Sequence, residues 1–249
     1  MEKLGVIGGM GPEATSYYYD QVVRHTLAGS DQDHIDMVVL SCASMPDRTR
    51  AIKTGEADEL LAKMAEATRV LESCGCAHIA IPCNTSHYFL DRIQATTVVP
   101  IIDMPREAVR YAVSGAVAGV DGFDPDAASA PEGGVRRIGI MGTDGTVSSG
   151  IYARACEERG VEAIAPEPAL QRDVMSIIYD DVKAGRDPDL AKFGRVLDWF
   201  EAAGCDRVIL ACTELSVVSR YREMPPCVLD AMDALVRESI VRSGAVYRA

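Results

Sequence analysis

The two halves of this chain of 249 residues carry matching segments that follow one another in the same order. The matching pairs are residues 4–9 (LGVIGG) with 138–143 (IGIMGT), 78–85 (HIAIPCNT) with 207–214 (RVILACTE), and 99–104 (VPIIDM) with 226–231 (PCVLDA). The spacing between the two members of a pair changes by only a few residues from pair to pair. Ordered pairs at a near-constant spacing indicate a duplicated unit, although βαβ segments can also resemble one another by chance. The sequence therefore predicts two similar lobes related by a pseudo-two-fold axis.

Apolar runs of strand length alternate with amphipathic segments of helix length in both halves. Strands are predicted at residues 4–7, 37–40, 78–81, 98–102 and 137–141, and helices at residues 13–27 and 57–72. This alternation is typical of βαβ units and parallel sheets. We expect an α/β fold in which each lobe is a mostly parallel sheet flanked by helices. Residues 114–134 interrupt the pattern with Gly, Ala, Asp and Pro, and we expect a flexible surface loop there.

The composition narrows the classes of partner and compartment. The chain has 37 acidic and 25 basic side chains and a formal net charge of −12, a surface that repels phosphate backbones, so we expect no nucleic-acid partner. No apolar run reaches the ~18 residues of a membrane span, and the first residues lack a signal-peptide pattern. We therefore expect a cytoplasmic protein with no membrane partner. In such a reducing compartment, the eight cysteines are core, metal-binding or catalytic residues rather than a disulfide scaffold.

Two of the cysteines, Cys83 and Cys212, occupy equivalent positions of the repeat, each directly after an apolar run. Ligands of open α/β sheets bind at the carboxyl ends of strands, so two lobes that face each other would oppose these thiols across a cleft. Two isolated cysteines are a poor metal-ligand set. They suit two-base proton transfer, in which one thiolate removes a proton from a carbon and the other thiol protonates its opposite face. Such a transfer inverts a stereocentre.

Five motifs resemble the aspartate/glutamate racemase family, most closely its cofactor-independent aspartate racemases. They are GGMGP (8–12), MPDRT (45–49), PCNTSH (82–87), QRDVM (171–175) and ACTEL (211–215). The resemblance covers the chain apart from residues 114–134. It implies two α/β lobes with the active site between them, two cysteines as acid and base, no pyridoxal phosphate or other cofactor, no metal, and a homodimer. It also implies that residues 1–99 and 225–249 form lobe one and residues 100–224 form lobe two.

The resemblance assigns roles to individual residues. Cys83 and Cys212 match the two catalytic positions. Arg48 matches a position that binds a substrate carboxylate, and Arg172 falls where the family places a second cation, usually Lys. The other expected site residues are candidates for substrate binding (Met10, Asn84, Thr85, Ser86 and Thr213) and for tuning of the two thiols (Glu214 and His87).

The expected activity is racemisation of an acidic amino acid, with L-aspartate to D-aspartate as the first choice. Glutamate or a broader range of amino acids is an alternative, as is a one-cysteine isomerase or decarboxylase of a small dicarboxylic acid. An amino-acid sensor without catalysis is a further class. The segment GMGPEA (9–14) also fits the G-x-G-x-x-A pattern of dinucleotide-binding dehydrogenases. However, the strand predicted at residues 37–40 ends at Ser41 and Cys42, where that class needs an acid for the ribose.

Overall fold

Two parallel sheets, each with helices around it, organise the computed structural model, which describes residues 1–114 and 134–248. The strands are β1 (Leu4–Gly8), β2 (Met37–Ser41), β3 (His78–Ala80), β4 (Arg137–Gly142), β5 (Glu162–Ile164), β6 (Arg207–Ala211) and β7 (Val228–Asp230). The expected α/β fold with two parallel sheets flanked by helices is confirmed. Residues 115–133, the body of the expected loop, lie outside the described residues.

The α-helices of the described residues follow the strands in alternation. They are α1 (Pro12–His25), α2 (Arg48–Thr54), α3 (Asp58–Ser73), α4 (Leu90–Gln94), α5 (Met104–Val113), α6 (Asp144–Ser149), α7 (Ile151–Glu157), α8 (Pro168–Ser176), α9 (Leu190–Ala202), α10 (Thr213–Ser216) and α11 (Ala231–Arg242). The described residues also contain a π-helical turn, Ile177–Asp181, and four short 3₁₀ segments: Asp31–Asp33, Asn84–Phe89, Val182–Ala184 and Val217–Arg220. None of the described helices is both long enough and apolar enough to span a membrane.

The two sheets share one strand order. In the first, β1 lies between β2 and β3, and a parallel bridge between Ile79 and Ile101 extends it beyond β3. In the second, the order is β5-β4-β6-β7 with every pair parallel. Strands β1 and β4 are therefore equivalent, as are β3 and β6, in agreement with the matched segments of the repeat. The pseudo-two-fold axis stays a prediction.

The chain divides into a first unit, residues 1–104 and 232–249, and a second unit, residues 105–231. We expected residues 225–249 as a whole in lobe one, but β7 of this segment hydrogen-bonds to β6 in the second sheet. Likewise, Ile101 bridges Ile79 in the first sheet, although we expected residues from 100 onward in lobe two. The physical reason is backbone pairing, because each of these short segments fills the open edge of the strand that precedes it.

Each unit has its own hydrophobic core. In the first, the buried face of α3 (Leu60, Met64, Ala67 and Leu71) packs in one cluster with Ile7 and Ile79 of the sheet. These positions have the helical spacing from which α3 was predicted. In the second, Phe193, Val196 and Phe200 of α9 pack with Met141 and Leu210. Both cores support strands that are largely buried on both faces, namely β1 and β3 in the first unit and β4 and β6 in the second, whereas the edge strands β2 and β5 are partly exposed.

Candidate active site

The glycine-rich turn after β1 is fixed by a side chain of α1. Gly9 has a φ of +85°, and a Cβ atom on it would lie 2.4 Å from the backbone nitrogen of Cys42, so only glycine fits. The Gly9 N–H donates to Thr15 Oγ1 over 2.8 Å, and the Thr15 hydroxyl donates to the Gly11 carbonyl over 3.0 Å. Pro12 then opens α1, so the positive end of the helix lies at the carboxyl edge of the first sheet.

Arg48 links this turn to the loop before α2. Its Nη1 donates to the carbonyl oxygens of Met45 and Pro46 over 3.3 and 3.0 Å, and its Nη2 donates to the carbonyl oxygen of Met10 over 3.4 Å. Met10 is buried, and its Sδ accepts a hydrogen bond from Ser86 Oγ over 3.6 Å. Three residues expected in the site from separate motifs, Met10, Arg48 and Ser86, are therefore brought together in the first unit.

Cys83 lies beyond the carboxyl end of β3 and is 5% exposed. It precedes the 3₁₀ segment Asn84–Phe89, in which Asn84, Thr85 and Ser86 are all buried. The ring nitrogens of His87 lie 3.0 Å from the carbonyl oxygen of Cys83 and 3.2 Å from that of Ile102. His87 therefore contacts the main chain of the cysteine loop, and its expected tuning of the Cys83 thiol stays a prediction.

Cys212 occupies the equivalent position after β6 and is 6% exposed. Its Sγ donates a hydrogen bond to Glu214 Oε2 over 3.0 Å, and Glu214 itself is buried. Burial raises the pKa of the Cys212 thiol well above its ordinary value, and the Glu214 carboxylate raises it further, while Lys183 acts in the opposite direction. The contact between Glu214 and Cys212 is thus present, and burial together with the carboxylate favours the protonated thiol; the expected tuning role of Glu214 stays a prediction.

Lys183 is the cation beside this cysteine. Its Nζ forms an ion pair with Glu214 Oε1 and lies 5.7 Å from the centre of the Tyr179 ring. Arg172, which we expected as the second cation, is exposed on α8 and lines a cavity of about 580 Å³ together with Gln171, Met175 and Tyr179. Sequence reasoning missed Lys183 because it lies in a polar stretch without a motif. The only available signal was that the resemblance places a Lys more often than an Arg at the second-cation position, which we assigned to Arg172.

In the second unit, the turn after β4 corresponds to the turn after β1 in the first unit. Thr143 caps α6 through a hydrogen bond from the Thr146 N–H to its Oγ1 over 3.1 Å. Gln171 Nε2 donates to the Gly142 carbonyl oxygen and to Asp144 Oδ1, and thereby ties α8 to the carboxyl end of β4. Thr213, the remaining expected substrate-binding residue, is buried at the start of α10. Of the residues expected in the second unit, Cys212, Thr213 and Glu214 thus follow the carboxyl end of β6, and Arg172 lies on α8, which Gln171 ties to the end of β4.

Comparisons with known proteins identify the family of the chain. The chain is 24% identical to the broad specificity amino-acid racemase RacX of Bacillus subtilis (strain 168), over 95% of this chain and 96% of the relative. The structure of the Picrophilus torridus aspartate racemase matches with a TM-score of 0.77 at 23% identity, over 100% and 96% of the two chains. A glutamate racemase of Francisella tularensis subsp. tularensis matches with a TM-score of 0.59 at 16% identity, over 95% and 78%. The model of the Asp/Glu/hydantoin racemase family matches residues 7–239, from β1 into α11, and the chain belongs to this family.

Proposed function

We propose that the protein racemises an acidic amino acid, aspartate first, by two-base proton transfer between Cys83 and Cys212. The observation that carries the proposal is the equivalent placement of the two thiols. Each follows the carboxyl end of an equivalent strand, β3 or β6, and each is almost fully buried in a chain of the racemase family. Duplicated thiols suit a racemase because the reaction must run from either enantiomer with the same chemistry.

In this mechanism the two thiols act on opposite faces of the substrate α-carbon. One thiolate removes the α-proton, the electron pair stays on carbon, and the other thiol donates its proton to the opposite face. The carbanion develops negative charge next to the α-carboxylate, so preorganised donors must stabilise it. Candidates are the amino end of α1 in the first unit and the backbone N–H groups of the glycine-rich turn other than that of Gly9, which donates to Thr15 Oγ1.

An acidic substrate also needs cations for its carboxylates. We propose that Arg48 in the first unit and Lys183 in the second bind these carboxylates. Arg172 lines the cavity beside Tyr179. Arg48 presents a planar fork of donors that matches a carboxylate. Lys183 has three N–H donors, so it can contact a substrate carboxylate and Glu214 at the same time. Asn84, Thr85, Ser86 and Thr213 supply polar groups for the substrate backbone.

Aspartate is the first choice of substrate because the Picrophilus torridus relative is an aspartate racemase. The Bacillus subtilis relative is a broad specificity amino-acid racemase, so a wider range is the second candidate. We further propose that the protein is a cytoplasmic homodimer that serves D-amino acid metabolism. Sedimentation equilibrium tests the oligomeric state, and a monomer at micromolar concentration would contradict the dimer.

The decisive experiment is incubation of L-aspartate, L-glutamate and L-alanine in D₂O without added cofactor, followed by proton NMR and chiral chromatography. We expect loss of the α-proton signal together with formation of the D-enantiomer, fastest for aspartate. Cys83→Ala and Cys212→Ala should each lower racemisation by at least ~10²-fold. Cys227→Ala, which removes an exposed thiol, is the matched control and should be unaffected.

Each other outcome identifies a different function. Exchange of the α-proton without inversion would indicate one-base chemistry. Activity on a dicarboxylic acid that survives Cys212→Ala would indicate the one-cysteine isomerase or decarboxylase. Binding of amino acids without any deuterium incorporation would indicate a sensor and contradict the proposal.

A further inference from the structure

The repeat loses its symmetry two residues after each cysteine. Alignment of Cys83 with Cys212 pairs Thr85 with Glu214, so one half carries a hydroxyl where the other carries a carboxylate. Both side chains are buried. The difference affects the Cys212 thiol directly, because Glu214 Oε2 accepts a hydrogen bond from Cys212 Sγ over 3.0 Å. The two thiols are therefore equivalent in position but differ in the group that can share their proton.

Both oxygens of Glu214 are engaged by different partners. Oε1 pairs with Lys183 Nζ, and Oε2 accepts from the Cys212 thiol. The ion pair holds the carboxylate in one orientation, with Oε2 turned toward Sγ. The side chain of Glu214 is only 6% exposed, whereas that of Lys183 is 27% exposed. A proton that leaves Cys212 therefore has a fixed acceptor inside the protein and does not need to reach solvent.

We propose that Glu214 is a positioning residue that stores the proton of Cys212, so that the two half-reactions of the racemase use different proton chemistry. The inference rests on the proposed function. When Cys212 acts as the base, its Sγ–H bond breaks and an O–H bond forms at Glu214 Oε2. The thiolate electron pair then takes the α-proton, the Cα–H electron pair stays on carbon, and Cys83 donates its thiol proton to the opposite face.

The opposite direction returns the stored proton. The Cys83 thiolate takes the α-proton, Cys212 gives its thiol proton to the other face, and Glu214 passes its proton back to Sγ. The number of protons held by the three groups is the same before and after each half-reaction, so no further reactant is needed. Thr85 stands two positions after Cys83, so we assign no such store to that thiol.

A half-reaction probe is needed because racemisation uses both thiols in either direction. The two enantiomers of threo-3-chloroaspartate serve this purpose. Removal of the α-proton by one thiolate pushes the Cα–H electrons into a Cα=Cβ bond, and chloride leaves from Cβ. The resulting enamine tautomerises and hydrolyses to a keto acid and ammonia. Chloride release therefore reports each base separately, with one enantiomer for each cysteine.

Two variants first assign the enantiomers. Under the proposed function, Cys83→Ala retains elimination from one enantiomer and Cys212→Ala retains it from the other. If neither enantiomer is assigned in this way, the proposed function fails. If the assignment succeeds, the inference about Glu214 is tested separately with Glu214→Gln, which keeps the shape of the side chain but cannot store a proton.

We expect Glu214→Gln to lower elimination by at least ~10-fold near neutral pH for the enantiomer that depends on Cys212. For the other enantiomer the rate should stay within about twofold of the wild type. On the Cys212 side, the variant's rate should also rise steeply with pH, because burial, the larger cause of the raised pKa of Cys212, is still present and the proton must now reach solvent. Glu214→Asp should restore part of the rate.

Two outcomes would overturn the inference. Equal losses for both enantiomers would mean that Glu214 has only a structural role. An unchanged or faster rate on the Cys212 side would mean that its carboxylate does no more than hold the thiol protonated. Glu162→Gln is the matched control, because it removes a carboxylate from a surface ion pair with Arg137 in the same unit. It should leave both enantiomers unaffected.

Discussion

Cys212 and Glu214 share a hydrogen bond of 3.0 Å at the carboxyl end of β6, with the thiol as donor. Burial and the carboxylate both raise the pKa of Cys212, so the thiolate that reacts with alkylating reagents is scarce at neutral pH. We expect labelling of Cys212 by iodoacetamide to keep increasing, by nearly tenfold per pH unit, at pH values above the ordinary thiol pKa of about 8.5. Peptide mass spectrometry of samples quenched at successive times measures this rate.

Lys183 supplies the control for that measurement. Its charge lowers the pKa of Cys212, so Lys183→Met should move the rise in labelling to still higher pH. A plateau below about pH 8 in the wild type would contradict the raised pKa. Circular dichroism at each pH shows whether alkaline unfolding, rather than ionisation, exposes the thiol.

Gly9 should be the glycine of the first turn that tolerates substitution least. Alanine there would combine a φ of +85° with a Cβ atom 2.4 Å from Cys42 N, and the backbone cannot move aside. Gly55 has a φ of +76° but no atom within 4 Å of its Cβ position. We expect Gly55→Ala to lower the free energy of unfolding by about 1–2 kcal/mol and Gly9→Ala by clearly more. Urea denaturation of both variants measures the difference, and equal losses would exclude the clash.

Gly139 makes room in β4 for a ring of α9. A Cβ atom at this position would lie 2.5 Å from Phe200 Cδ1. We expect Gly139→Ala to cost about 1–3 kcal/mol through overpacking. Because the obstacle is a side chain, Phe200→Leu should cost less in the Gly139→Ala background than in the wild type. If the losses in free energy of unfolding were additive in the double-mutant cycle, the strain would not come from contact with the Phe200 ring.

Asp233 in the first turn of α11 makes stability depend on pH. Burial raises the pKa of its carboxyl to about 6, partly offset by His25, and Tyr247, Arg237 and Tyr17 belong to the same charged cluster. The folded state therefore binds this proton more tightly than the unfolded chain does, with an ordinary pKa of about 3.9. The protonated carboxyl therefore contributes to the free energy of unfolding below about pH 4, and this contribution is lost as the pH rises through 6.

The corresponding variant should be more stable than the wild type in alkaline solution. We expect Asp233→Asn to raise the free energy of unfolding by about 2 kcal/mol near pH 8 and by little near pH 4. Asp206 is the control of opposite sign, because the backbone N–H groups of Arg136 and Arg137 lower the pKa of its carboxyl. Asp206→Asn should destabilise the protein near pH 8. If both substitutions changed the free energy of unfolding near pH 8 in the same direction, the opposite pKa shifts assigned to Asp233 and Asp206 would be contradicted.

Much of the architecture could be predicted because it is encoded locally. The apolar runs of β1 and β4, the spacing of Leu60, Met64 and Leu71, and the turn residues between them specify strands and helices without reference to distant residues. Duplication then placed Cys83 and Cys212 at equivalent strand ends. Glu214 was identified for the same reason, since its distance from Cys212 is fixed by a two-residue spacing.

Contacts between distant segments were not predictable in the same way. Lys183 is 31 residues from Glu214 in sequence, and Met10 is 38 residues from Arg48. Many pairings of this length are compatible with the same helices and strands, so the sequence pattern did not reveal that Lys183 pairs with Glu214. The edge at which β7 pairs was missed for the same reason, because an open strand edge exists only once the sheet has formed.

The sequence by itself thus determined two parallel sheets of one design and a thiol at the end of a matching strand in each, because repeated apolar and turn residues act over a few positions. Only the tertiary structure decided which cation reaches the Glu214 carboxylate and that Arg48 joins the Met10 turn, because packing sets the distances between segments that the chain keeps far apart.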